Sequence, residues 1–133
     1  MKHSTILTIA SLVLILLFTL HLAGDIVYGW EPGRLANLIV VVLVSGVWLS
    51  GALLLRERLA GRIIILLGAL AALVVPYVHM SGAKGVGVAS RLAGHQGHFF
   101  FVWTLIAMGV LGFFSVILSV CELWSLRGRR QQV

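Results

Sequence analysis

Four apolar runs, each close to the length of a membrane span and separated by polar or glycine-rich segments, leave this chain little choice of fold. They extend over about 6–27, 35–55, 63–80 and 98–123. An α-helix rises about 1.5 Å per residue, so about 20 apolar residues cross the roughly 30 Å of hydrocarbon in a bilayer. The expected architecture is an all-α integral membrane protein of one domain, residues 1–133, with four transmembrane helices in an antiparallel up-down bundle. The connections agree with that order. Glu31-Pro32-Gly33-Arg34 is a turn, and Arg56-Glu57-Arg58-Leu59-Ala60-Gly61-Arg62 is a short charged loop. Residues 81–97 form the one long connection, read either as an interfacial helix or as a loop. Pro76 removes a backbone donor near the end of the third run and predicts a kink there.

The first run begins with Met1-Lys2-His3-Ser4-Thr5, the basic start of a secretory signal. A cleavage site needs small residues at alternate positions, and His21 and Leu22 stand where these would fall, so a retained span is expected. The basic residues set its direction. Lys2, Arg56, Arg58, Arg62, Arg127, Arg129 and Arg130 lie on one side, and Arg34, Lys84 and Arg91 on the other. That bias places both termini in the cytoplasm of a bacterial-type inner membrane. The net charge of +6 belongs to these helix ends rather than to a basic stripe, so nucleic acid is not an expected partner.

Helix contacts are expected at small residues four apart, Gly46 with Ser50, Gly68 with Ala72 and Ser115 with Ser119. Cys121 is the single cysteine, which excludes dithiol chemistry within the chain. Glu57 and Glu122 are expected to pair with neighbouring arginines, Glu122 with Arg127.

Ionisable groups inside a membrane are costly and face a bundle interior or a wet cavity, which directs attention to the histidines. With the topology above, His21, His79, His95 and His98 share the outer side. Asp25 and Tyr28 follow His21 by four and seven residues, so the three occupy one face of the first helix. Asp25 could then orient the His21 imidazole. The plainer alternative leaves Asp25 hydrated and His21 bonded to a backbone carbonyl. A faint echo, His21-Leu22-Ala23-Gly24 against His79-Met80-Ser81-Gly82, puts His21 and His79 at similar depth, where they could hold a cofactor between them. His95 and His98, with Asp25 and Met80, make a second set of nitrogen, oxygen and sulfur donors suited to copper or zinc, provided the fourth helix starts early enough for the two histidines to share a face. Trp30 and Arg91 are further candidate site residues on this side.

No phosphate loop, nucleophile elbow or carboxylate pair is present, so the reading leans away from an enzyme. The first functional expectation is a non-catalytic accessory or self-associating subunit with a histidine-rich pocket on its outer side. The alternatives are a haem- or metal-binding redox protein using that pocket, and an oligomeric carrier or channel. Expected partners are the bilayer, a larger membrane complex or further copies of the chain.

Overall fold

The computed structural model describes residues 2–27, 35–81, 94 and 97–130, together with the side chains of most of them. Four helices and, among the described residues, no strand make up the fold: α1 (Lys2–Val27), α2 (Leu35–Leu53), α3 (Leu59–Ser81) and α4 (His98–Arg130). Three of them contain stretches long and apolar enough to cross a membrane, Ser4–Val27, Leu59–Met80 and His98–Ser125. The apolar part of α2, Leu38–Leu53, is shorter than the span expected from sequence.

Several boundaries move outward from the hydropathy edges. α3 starts at Leu59 rather than Ile63, and α4 continues to Arg130 rather than Leu123. Charge does not break a helix, and arginine is a good helix former, so polarity marks the edge of the hydrocarbon and not the end of the hydrogen-bond ladder. α3 also runs through Pro76 to Ser81. The Pro76 ring faces Gly109 of α4, where an added Cβ would lie 3.7 Å away. Gly97 has φ of 93° and its carbonyl accepts from the Phe101 amide, so α4 opens on a glycine in the left-handed region.

The core is built in layers that step seven residues along α1, α3 and α4 and four along α2. Leu7, Ala52, Ile65 and Leu118 form one layer, and Leu14, Trp48, Ala72 and Leu111 form the next. The sequence of layers runs up α1 and α3 and down α2 and α4, which defines an alternating bundle with α1 and α3 parallel. Neighbours in the chain pack side by side, and α1 packs on both α4 and α3, whereas α2 and α4 do not meet among the described residues. The bundle therefore has a short diagonal between α1 and α3. These contacts rest on close packing. Gly68 shows it most clearly, since it lies against the Trp48 indole with no room for a Cβ. Gly46 has open space around it, whereas Gly68 with Ala72 seats the Trp48 side chain inside the bundle. Ser115 and Ser119 are fully buried on α4.

A further layer, Phe101, Leu105 and Met108 with Leu17, Phe18 and Val75, carries the core toward the far end. One step of seven beyond Leu14 and Ala72 come His21 and His79, and one step back from Leu111 comes Thr104. The core pattern is thus continued by polar residues. At the opposite end Glu122 reaches Arg62 of α3 at 3.8 Å, an inter-helix pair, and the side chain of Arg127, its expected partner, lies outside the described residues. Arg56 and Glu57 pair on the surface at 3.3 Å.

Candidate metal centre

α1 carries His21 and Asp25 one turn apart, and helical geometry puts both on the face that enters the bundle. Both are buried, with 3% and 7% of their surface exposed. α3 delivers half-buried His79 along the short diagonal. One donor atom from each of the three residues lies within 4.8 Å of the others. Nε2 of His21 and Nε2 of His79 both stand 3.7 Å from the same oxygen, Asp25 Oδ2.

Hydrogen bonds around the rings assign their protons. Thr104 Oγ1 donates its single proton to the Phe101 carbonyl at 2.8 Å. It therefore accepts from His21 Nδ1, 3.1 Å away. On the other ring, Nδ1 of His79 lies 2.9 Å from the Val75 carbonyl, which can only accept. Both imidazoles thus carry a proton on Nδ1, by inference from the network, and in the neutral form both turn a bare Nε2 toward a carboxylate oxygen. The 3.7 Å separations exceed hydrogen-bond length. His21 Nε2 and Asp25 Oδ1 are buried and have no hydrogen-bond partner among the described residues.

In the neutral form of both rings these three Lewis-basic atoms repel one another, and a cation among them reverses the sign. Imidazole nitrogen and carboxylate oxygen are ordinary ligands of zinc and related first-row metals, with bonds of about 2.0–2.2 Å. Partners that hold the outer nitrogen of a metal-bound histidine fix its tautomer and orientation, the part played here by Thr104 and the Val75 carbonyl. Phe101 closes the site from α4, with ring centroids 4.7 Å from His21 and 5.9 Å from His79. The two imidazoles meet edge to face at 5.0 Å and 78°. Trans ligation of one haem iron, at about 2 Å per bond, holds imidazole centroids about 6 Å apart across the porphyrin, so the observed packing suits convergence on a small ion better.

The expected residues divide clearly. His21, His79 and Asp25 come together, although Asp25 faces the inner nitrogens as a third donor and does not orient His21 through a hydrogen bond. The backbone carbonyl expected for His21 is instead used by His79. Met80 points away and is 53% exposed, since one residue turns a helix by about 100°. His98 starts α4 half-buried, outside the cluster of His21, Asp25 and His79. α4 begins at His98, after Gly97, and the helical face expected for His95 and His98 involves a residue outside the described ones. His95 itself, Tyr28, Trp30 and Arg91 lie outside the described residues. Thr104 and Phe101 were not evident as site residues in the sequence, where only the seven-residue step Thr104, Leu111, Leu118 places Thr104 on the core face.

The fold and the cluster define a class: an all-helical bundle with membrane-length helices and a buried two-histidine, one-carboxylate site. No protein family, curated protein or solved structure matches the chain.

Proposed function

We propose that the chain is a four-span inner-membrane protein, with both termini in the cytoplasm, that binds one divalent transition-metal ion at His21, Asp25 and His79. It acts as a non-catalytic accessory or binding protein. The observation that carries this reading is the approach of two Nε2 atoms, each 3.7 Å away, to one carboxylate oxygen, while both Nδ1 atoms make hydrogen bonds elsewhere. Ionisable residues buried at membrane depth mark functional sites by default. Two imidazoles and a carboxylate suit zinc, and zinc serves as the probe. The charge bias of the loops supports the orientation. α2 is accommodated as a fourth span by local thinning of the bilayer, since its apolar part falls only a few Å short of the roughly 30 Å core.

The test is metal analysis of detergent-purified protein after zinc loading and removal of free ion. The expected result is one zinc per chain, lost in His21→Gln and His79→Gln variants that keep their helical circular dichroism. A wild-type protein that retains no metal sinks the proposal.

A further inference from the structure

Resting on that metal site, we infer that the bound ion is four-coordinate and takes its fourth ligand from solution, a water, hydroxide or small anion with a single donor atom. The spacing of the protein donors sets the coordination number. A tetrahedral ion with bonds of about 2.0–2.1 Å holds its donors about 3.4 Å apart. An octahedral ion with bonds of about 2.1 Å holds neighbouring donors about 3.0 Å apart. The separations here, 3.7 Å from Asp25 Oδ2 to each Nε2 and up to 4.8 Å between any two of the three donors, are wider than either and lie nearer the tetrahedral edge.

The cluster among the described residues contributes three donors, one short of a tetrahedron. Thr104 does not supply the fourth, because its hydroxyl donates to the Phe101 carbonyl and accepts from His21. Sites with three protein ligands characteristically keep one position for water or substrate.

An independent observation identifies a partner for that ligand. Asp25 Oδ1 is buried and has no hydrogen-bond partner among the described residues, while its sister oxygen faces both imidazoles. A water or hydroxide on the ion donates its proton to Oδ1, so one carboxylate both ligates and accepts. The His79 side chain is 25% exposed, against 9% for that of Asp25 and 3% for that of His21, so His79 is the least enclosed of the three ligands. Phe101 lies against both rings.

The experiment uses the full-length protein loaded with Co(II) in place of zinc and titrated with sodium azide. The expected result is the intense visible absorption of four-coordinate cobalt, shifted saturably by one azide per ion. A strong cobalt spectrum unmoved by azide overturns the inference, because the fourth position is then filled by the protein. A weak, six-coordinate spectrum overturns it as well. Failure to bind cobalt or zinc at all defeats the underlying metal site, a different result from either.

Discussion

Replacing Thr104 by valine removes one oxygen and keeps the shape of the side chain, so it isolates what the hydroxyl does for His21. In the native site the Oγ1 acceptor, 3.1 Å from Nδ1, holds the proton on the outer nitrogen and leaves Nε2 bare. In Thr104→Val the Nδ1 proton faces a methyl group in a fully buried position. An unsatisfied buried donor costs about 1–3 kcal/mol. The metal-free ring escapes that cost by moving its proton to Nε2, beside Asp25, and metal binding must then move it back. The loss therefore falls on the bound state. Outer partners of metal-bound histidines are worth about 10–100-fold in affinity, or about 1.4–2.7 kcal/mol. We expect the zinc dissociation constant of Thr104→Val to rise by about that factor, and that of Thr104→Ser, which keeps the hydroxyl, to stay within a few-fold of wild type. Competition with a chromogenic zinc chelator in detergent micelles at fixed pH measures both. Equal affinity in Thr104→Val and wild type refutes the tautomer argument, and so does an equal loss in the serine variant.

Other parts of the account give further predictions. Asp25→Asn keeps the size of the side chain but removes the anionic donor at 3.7 Å from both rings, so stoichiometric zinc binding is lost while α1 remains helical. Zinc affinity falls on acidification and recovers on neutralisation, because each ligating Nε2 must be bare and every proton that adds there competes with the ion; binding strengthened by acid contradicts the site. Gly68→Ala drives a Cβ to within 2.6 Å of Trp48 Nε1 and lowers stability by about 1–3 kcal/mol, read as earlier unfolding in a thermal melt in detergent; an unchanged melt argues against the packing of α2 on α3. For the topology, a Glu57→Cys, Cys121→Ser protein is labelled by a membrane-impermeant maleimide in inverted vesicles and protected in intact cells. Labelling of intact cells reverses the assigned orientation.

Much of the bundle can be read from the sequence because its helices are written as long apolar runs, three of them long enough to cross a membrane. Helix ends are harder, since Leu59 to Arg62 and Leu126 to Arg130 hold arginine and glycine yet stay helical. The His21 and His79 pair is legible through their matching positions in two apolar runs. Asp25 follows from its place one turn beyond His21. The pattern fails where function depends on rotation or on a distant helix. Met80 is adjacent to His79 in the chain and turned away in space. Thr104 is an unremarkable residue within an apolar run, and only the antiparallel register of α4 against α1 brings it to His21.

The central claim is that His21, Asp25 and His79 bind one ion together, and zinc-edge X-ray absorption of the loaded protein tests it most directly. The account predicts nitrogen and oxygen scatterers at about 2.0–2.2 Å with the outer-shell signature of two imidazoles, falling to one in His79→Gln. A sulfur shell at about 2.3 Å, which only Cys121 or a methionine could supply, or a spectrum unchanged in His79→Gln, contradicts it.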